Sequence, residues 1–487
     1  MASPGKEHPT RSSQEDARTS QTTSSALLVD LYELTMADAY RREEIVDKPA
    51  TFSLFVRTLP AGWGYLVAAG LEDCLTWLEQ VHFGDADLAA VEQLAMFPPE
   101  FLQWLAEFRF SGSVRGVPEG TLVFADEPIL EIQGTIGECQ LAETYLLNQI
   151  TLQTALATQA ARCRHAAQGR DVIDFSLRRA PGIDAGMKVA RCGRLVGLTG
   201  TSNVAGATRY SLAARGTMAH SFVQAHADET EAFRVCAEVF QGSTMLLVDT
   251  YDTPTGIERA IAVAQEMRAK GIELQGIRLD SGDLGQLAAL ARQQLDSAGF
   301  PAMTVVASGG LDEYQIDDLV SRVRAPIDGF GVGSSLAAAS GGRILDAVYK
   351  LVSFDGRAVR KTSPGKETWP GAKQLWRDQE WSHDVLALAQ EPPLGLSHAP
   401  LMVTVMNGAK RTDLGHEDLA ASQALFESQF SALPGAVKQL RDPAHYPVRP
   451  SEALLRLTGE LDGKRSGLAG DSSGKTEASA AESGHLT

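Results

Sequence analysis

Ile272-Glu273-Leu274-Gln275-Gly276-Ile277-Arg278-Leu279-Asp280-Ser281-Gly282-Asp283 is the stretch on which the fold turns. Its apolar run from Ile272 to Leu279 predicts a buried strand, and helix-forming sequence begins at Asp283. Two carboxylates, a guanidinium and a hydroxyl therefore crowd into the turn where a strand ends. In a (β/α) barrel such turns build the active face. The pattern recurs at Leu246-Leu247-Val248-Asp249-Thr250-Tyr251-Asp252, at Val305-Val306-Ala307-Ser308-Gly309-Gly310 and at Gly329-Phe330-Gly331-Val332-Gly333-Ser334. One polar strand end is unremarkable. A succession of them suggests a site for a polyanionic, hydroxyl-rich ligand.

Outward from this stretch, Val172–Phe175, Leu246–Asp249, Met303–Ala307 and Ile327–Gly331 read as further short strands separated by helical segments. Alternation roughly every 25–35 residues means βαβ units and a parallel sheet or barrel, with about six units, fewer than a complete regular barrel. Upstream, Thr51–Arg57 predicts a strand, Gly64–Gln80 an amphipathic helix, Thr121–Gln133 strand character and Gly137–Gln168 a long helix with Leu141, Tyr145, Leu152 and Leu156 near helical period. After Lys350 the sequence becomes hairpin-like (AVYKLVSFDGRAVRK), then suggests helices with Pro and Trp, folding back on the N-terminal segment. The expected organisation is a disordered tail (1–25), an N-terminal α/β segment (26–136), a barrel (137–350), a C-terminal segment packing with the N-terminal one (351–460) and a second disordered tail (461–487).

Bulk properties narrow the partners. The 487 residues carry a net charge of −17 with 44% hydrophobic and 22% charged residues, an ordinary globular composition. The charge argues against nucleic acid as a main partner, because phosphate backbones demand a basic stripe. Local Arg, Lys and backbone N–H groups can still hold small anions. The five cysteines (Cys74, Cys139, Cys163, Cys192, Cys236) show no CxxC spacing, so neither a zinc site nor a disulfide framework is expected, and a reducing cytoplasm is the simple reading. No run approaches the ~20 apolar residues that span a bilayer, and the polar N-terminus lacks a secretory core.

Specific residues then stand out. Glycines after a strand let backbone N–H groups approach an anion, which makes Gly309-Gly310 and Gly331-Val332-Gly333-Ser334 phosphate candidates, tight turns being the alternative. Carboxylates at strand ends can bind ribose hydroxyls, hold Mg²⁺ or stabilise a developing cation. Asp249 and Asp280 are the candidates, while Asp252 and Asp283 suit helix N-caps. The apolar run before Asp249 superficially suggests the phosphoribosyl-diphosphate loop of smaller phosphoribosyltransferases, yet that loop needs two adjacent acids and Thr250 follows here. His220, in Gly216-Thr217-Met218-Ala219-His220-Ser221, is either structural or a cavity-facing imidazole able to accept a phosphoryl group; His226 reads as structural. Asp174-Phe175-Ser176-Leu177-Arg178-Arg179 ends another strand with an aromatic face and two guanidiniums, unless Phe175 is core and Arg179 solvated.

Taken together with Leu31-Tyr32-Glu33-Leu34-Thr35-Met36, GTSNVAG from Gly200, VDTYDT from Val248 and RKTSPGKETWPGAKQLWR from Arg360, these motifs resemble the nicotinate phosphoribosyltransferase family over residues 26–450. The resemblance implies an α/β protein with a partly irregular (β/α) barrel and a second α/β domain formed by N- and C-terminal segments. It implies an ATP-coupled enzyme, ligase and glycosyltransferase in character, which joins nicotinate to 5-phosphoribosyl 1-diphosphate and needs Mg²⁺. It further implies His220 as phosphoacceptor, with Thr217 and Arg278 contacting nicotinate. Phe175 and Tyr32 would sandwich the pyridine, the tyrosine coming from the other subunit of a homodimer with sites at the interface. Arg178, Asp249 and Asp280 would neighbour ribose, diphosphate or Mg²⁺, while Ser308, Gly309, Gly310, Gly331, Gly333 and Ser334 would cradle the 5′-phosphate. Nicotinamide-using relatives carry an aspartate in the GT-x-x-VAG motif where this chain has Ser202. Serine removes a like-charge repulsion against the nicotinate carboxylate, worth several kcal/mol were both groups buried.

Three other readings are weighed at this level. Nicotinamide is the rival base. A sugar-phosphate lyase or isomerase on the same barrel would need a lysine or acid/base pair at strand ends, and no lysine ends a predicted strand. A catalytically dead nucleotide-binding homologue is disfavoured by His220, Asp249 and Asp280.

Overall fold

Parallel strands joined by helices bury their outer face against those helices, and the short apolar runs of this chain supply that face. The computed structural model describes residues 25–337, 345–416 and 418–473. Its six-stranded parallel sheet has the order Gly200–Thr201, Asp171–Asp174, Gly329–Val332, Thr304–Ala307, Gly276–Leu279, Met245–Leu247. Along the chain, each strand pairs with its sequence neighbour, and the last of the six with the first, except at one place. Gly200–Thr201 and Met245–Leu247 do not pair. The sheet is thus a barrel opened along a single seam. Part of that seam is closed by Ala214, bridged in parallel to Thr201.

A seven-stranded antiparallel sheet takes strands from both ends of the chain. Pro49–Val56 pairs with Ala347–Phe354 on one side and Pro128–Thr135 on the other, and Ser113–Gly116 pairs with Val403–Asn407. Long-range pairing of this kind joins the N-terminal segment to the chain beyond the barrel. The helix Glu143–Ala166 leads from this sheet into the barrel. Two ion pairs fasten its neighbours: Arg191 to Glu119 at 2.5 Å and Lys188 to Asp73 at 2.6 Å. The Arg191–Glu119 pair is the buried one, and removing one partner of such a pair typically costs about 3–5 kcal/mol, because the other charge is stranded.

Several elements differ from the sequence expectation, for local reasons. Strand pairing begins only at Gly276, since Ile272–Gln275 is the link from the preceding helix, although Leu274 still packs in the core. In Gly64–Gln80, Leu66–Val67 forms a strand and Gly70 is left-handed (φ 101°), so the helix covers Leu71–Gln80 alone. Thr121–Gln133 is split into Leu122–Val123 and Pro128–Thr135 by a turn at Asp126 (φ 64°). The long helix is two, Ile136–Leu141 and Glu143–Ala166, breaking at Ala142. The Pro- and Trp-containing region after the hairpin forms strands Lys373–Asp378, Asp384–Leu388 and Val403–Asn407 rather than helices; Lys373, Leu375 and Arg377 alternate on one buried face of the first, and Trp376 is buried on the other. The helix Glu452–Ser473 runs past the tail boundary at 461, whereas residues 1–24 and 474–487 of the tails lie outside the described residues. All five cysteines are buried free thiols. Among the described residues no helix is long and apolar enough to cross a membrane.

One buried acid gives the fold a pH dependence. Glu33 accepts hydrogen bonds from the Thr144 amide (3.0 Å) and hydroxyl (2.5 Å), and its second oxygen has no partner. Burial pushes its carboxyl from near 4.5 up to about 8 against those hydrogen bonds, with the Glu143 and Asp30 charges adding to the rise. The folded state therefore holds this proton more tightly than the unfolded one. Its contribution to stability is complete below pH 4.5 and is lost as pH rises to about 8. Glu33→Gln keeps an acceptor for Thr144 without a charge. It should melt near the wild type at pH 5 and a few degrees above it at pH 9. Parallel melting curves across that range would assign the slope to another group.

Candidate active site

Strand alternation decides which side chains face the barrel axis. Ile277 and Leu279 are fully buried among the helices, so Arg278 points the other way and Asp280 follows at the strand's C-terminal end. On the neighbouring strand end, Asp249 accepts hydrogen bonds from the Asp280 backbone N–H (3.0 Å) and the Ser281 hydroxyl (2.6 Å) through one oxygen. This carboxylate locks two strand ends together. Its other oxygen is buried without a hydrogen-bond partner.

Asp280 is the hub. One oxygen accepts from the Ser308 hydroxyl at 2.5 Å and lies 4.0 Å from an Arg278 nitrogen. The other lies 4.0 Å from Nε2 of His220. The opposite ring nitrogen of His220, Nδ1, is 3.1 Å from the Thr250 hydroxyl. With the proton on Nδ1, His220 donates to Thr250 and keeps the Nε2 lone pair free beside Asp280. Arg278 donates to the Thr217 hydroxyl at 2.5 Å, and its guanidinium carbon lies 5.9 Å from the Phe175 ring centroid, within cation–π range. Burial lowers the Arg278 pKa, with Asp280 and Asp249 opposing, and the Arg178 charge nearby lowers it further. Guanidinium stays charged under such shifts.

Two glycines are demanded by packing. At Gly309 (φ 93°) a Cβ would stand 1.8 Å from the Asp280 carbonyl oxygen, and at Gly331 one would stand 2.4 Å from the Phe175 ring. The glycine loops therefore lie directly against the hub and the aromatic face. Gly310, Gly333 and Ser334 continue those loops, with Ser334 opening the helix Ser334–Ala337. A cavity beneath Phe175 and Thr217 spans the barrel seam, lined by Arg215 on one side and Met245 on the other.

The structure thus brings His220, Asp249, Asp280, Arg278, Thr217, Phe175 and Ser308 into one connected cluster. Arg178 is exposed at its edge. Ser202 is joined to the Phe175 strand only through its amide, which donates to the Asp174 carbonyl at 2.8 Å, and its side chain is exposed. Tyr32 lies elsewhere in the chain, 44% exposed, with its hydroxyl held by Glu143. Asp252 and Asp283 are helix N-caps, accepting from the amides of Thr255 (3.1 Å) and Gln286 (3.0 Å). His226, just beyond the helix His220–Gln224, is bonded through Nδ1 to the Phe222 carbonyl at 2.8 Å. Ser281 is the hydroxyl of the strand-end turn, whereas Thr250 joins the cluster without a sequence signal of its own. Both are short hydroxyls beside strand-end acids, and the contact that matters for Thr250 reaches across 30 positions. Among the described residues no group of three or more His, Cys, Asp or Glu side chains is arranged to hold a metal. Asp249 and Asp280 are the carboxylate pair at this site.

Comparison with known proteins bears on this cluster. The chain matches the nicotinate phosphoribosyltransferase N-terminal domain family over residues 27–151 and the nicotinate phosphoribosyltransferase family over residues 171–363. It is 44% identical to nicotinate phosphoribosyltransferase pncB2 of Mycobacterium tuberculosis, over 90% of this chain and 93% of that one. Identity to nicotinate phosphoribosyltransferase of Bacillus subtilis is 42%, over 73% of each. The crystal structure of human nicotinic acid phosphoribosyltransferase superposes with a TM-score of 0.80 at 28% identity, covering 89% of this chain and 99% of that one.

Because Gly331 leaves no room beside the Phe175 ring, Gly331→Ala should force the ring aside at a cost of about 1–3 kcal/mol. Urea unfolding measures this; an unchanged midpoint would mean that the ring has another resting place.

Proposed function

The chain belongs to the nicotinate phosphoribosyltransferase family, and on that footing we propose that the cluster around Asp280 joins nicotinate to 5-phosphoribosyl 1-diphosphate. The pyridine nitrogen forms a bond to the anomeric carbon of the ribose while the bond from that carbon to the diphosphate oxygen breaks. Nicotinate mononucleotide and pyrophosphate leave, the first step of NAD salvage from nicotinate. The observation that carries this reading is the place of Asp280, between His220 on one side and Ser308 with Arg278 on the other. A carboxylate there stabilises the positive charge that grows on the ribose. Phe175 gives the pyridine a flat face, and Arg278 with Thr217 meets its carboxylate. The Ser308-Gly309-Gly310 and Gly331-Val332-Gly333-Ser334 loops offer backbone N–H groups to the 5′-phosphate, and Arg178 faces the diphosphate.

Mg²⁺ suits the donor set. It takes one or two carboxylates and completes its shell with water and substrate phosphate. Asp249 retains an oxygen without a hydrogen-bond partner, and Asp280 is partly exposed. These two would hold the ion, which when bound offsets charge on the diphosphate.

ATP coupling is assigned to His220. Its Nε2 attacks the γ-phosphorus of ATP, ADP leaves, and the phosphohistidine is later hydrolysed to phosphate. Thr250 supports this by holding Nδ1 and so presenting Nε2. A homodimer completes the pyridine site. Tyr32 is exposed and remote within its own chain, so it is available to a partner's Phe175, and the exposed Ile183 and Val204 (74% and 73%) begin helices beside the site mouth. Five buried free thiols agree with a reducing cytoplasm.

Nicotinamide as the base is the competing reading, and Ser202 bears on it. Its exposure tempers the specificity argument, because an exposed charge is screened. An aspartate there would repel nicotinate by roughly 1 kcal/mol rather than several.

His220→Ala should lose ATP stimulation while retaining ATP-independent transfer. Acid-labile label from [γ-³²P]ATP should appear on the wild type and vanish in the variant. Retained coupling would remove the phosphohistidine assignment. Ser202→Asp should lower kcat/KM for nicotinate about fivefold; equal values would show that position 202 does not read the carboxylate, and faster turnover of nicotinamide by the wild type would reverse the choice of base.

A further inference from the structure

The two glycine loops are separate in sequence, yet a phosphate held by both requires a fixed spacing between them. The groups that set that spacing lie outside the site. The 309–310 loop runs through Leu311 and Asp312 into the helix Glu313–Asp317, and the 331–334 loop runs into Ser335. Both ends are held by one residue of the long helix. The Gln159 side-chain amide donates to a Glu313 carboxylate oxygen at 2.5 Å and to the Ser335 hydroxyl at 3.0 Å. One helical turn further on, Arg162 donates from Nε to the other Glu313 oxygen at 3.2 Å, and from Nη2 to the Tyr314 hydroxyl and the Leu440 carbonyl at 3.2 and 3.0 Å. Gln159, Arg162 and Glu313 are each fully buried.

Gln159 Oε1 and Arg162 Nη1 are buried without a hydrogen-bond partner, but the other polar atoms of the network are paired, and the cost of unpairing them makes the arrangement stiff. Glu313 cannot leave Arg162 without stranding a charge. Ser335 is tied to Glu313 through one amide nitrogen, so the loops following Thr304–Ala307 and Gly329–Val332 share a single anchor. None of these side chains belongs to the cluster around Asp280, and nothing in their chemistry serves the reaction directly. The long helix itself enters from the antiparallel sheet, so the anchor also refers the loops to the rest of the molecule.

We infer that Gln159 is a positioning residue for phosphoribosyl-diphosphate binding: it bridges Glu313 and Ser335 and thereby sets the distance between the two glycine loops. This rests on the reading that those loops cradle the 5′-phosphate. Displacement of one loop by a fraction of an ångström misaligns backbone donors on one side of the phosphate, while Phe175, Arg278 and Thr217 still receive nicotinate. The signature is therefore a split between the two substrates.

Steady-state kinetics of the full-length enzyme provide the test. Gln159→Leu keeps the volume and removes the amide. It should raise KM for 5-phosphoribosyl 1-diphosphate about tenfold while KM for nicotinate stays within about twofold. Ser335→Ala leaves the helix intact and removes one arm of the bridge; it should give about a threefold rise for the same substrate. It decides the matter alone if Gln159→Leu fails to fold. Gly333→Ala tests the underlying reading, since it adds a methyl group 3.3 Å from the Phe175 carbonyl within the loop itself. A raised KM in Gly333→Ala with unchanged values in the other two variants would overturn the positioning role and spare the cradle. No change in Gly333→Ala would sink the cradle and the inference with it. Equal rises for both substrates in Gln159→Leu and Ser335→Ala would mark a general structural defect and also overturn the inference.

Discussion

Backbone hydrogen bonding along the open seam of the barrel governs how the site is built. The edge at Gly200–Thr201 cannot be left unpaired, because buried amide and carbonyl groups without partners are costly. The chain satisfies it by turning back on itself: the Thr201 amide donates to the Ala213 carbonyl at 3.0 Å, and the Arg215 amide donates to the Thr201 carbonyl at 2.9 Å. Residues 213–215 thus stand in for a missing strand. Gly216 to His220 then crosses the mouth, and His220 meets Thr250 on the far side.

Charge is arranged with the same economy. The protein is strongly acidic, with a net charge of −17, yet the site must receive anions. Arg178, Arg278 and the loop amides provide local positive potential where the strand ends converge. The acids among them are committed: Asp249 to the Asp280 amide and Ser281, Asp174 to the Ser176 amide and the Thr201 hydroxyl. Burial raises the Asp174 pKa, and these hydrogen bonds oppose the rise. Beneath the surface, buried pairs such as Arg162 with Glu313 and Arg191 with Glu119 hold the supporting helices in one arrangement. The stiffness of the site is therefore supplied from behind it.

Much of this is legible in the sequence, and the exceptions share a cause. Strand ends carrying Asp249, Asp280 and Ser308 are readable because apolar runs of strand length stop abruptly at polar turns. N-caps at Asp252 and Asp283 are readable because capping is local. Gly70 and Asp126, by contrast, interrupt apolar stretches with left-handed residues that hydrophobic pattern does not register. The strand around Trp376 resembles helix in sequence because part of its pairing is with distant residues such as Pro400, beyond the window of periodicity. Thr250 and Gln159 carry no local signal, because a hydroxyl or amide acquires meaning only from a partner distant in sequence.

The sequence alone determined the chemistry available: which acids, arginines, glycines and histidine stand at strand ends, and that those ends belong to a parallel α/β unit. That information is local, since burial pattern and turn composition are set within a few residues. Tertiary structure alone decided which of these groups meet. The barrel's one unpaired seam, the exposure of Ser202, the separation of Tyr32 from Phe175 within one chain and the tie from Gln159 to two loops all arise from long-range strand pairing and helix packing. Those interactions are set by how backbone hydrogen bonds and buried charges are satisfied in three dimensions, which no single stretch of the chain specifies.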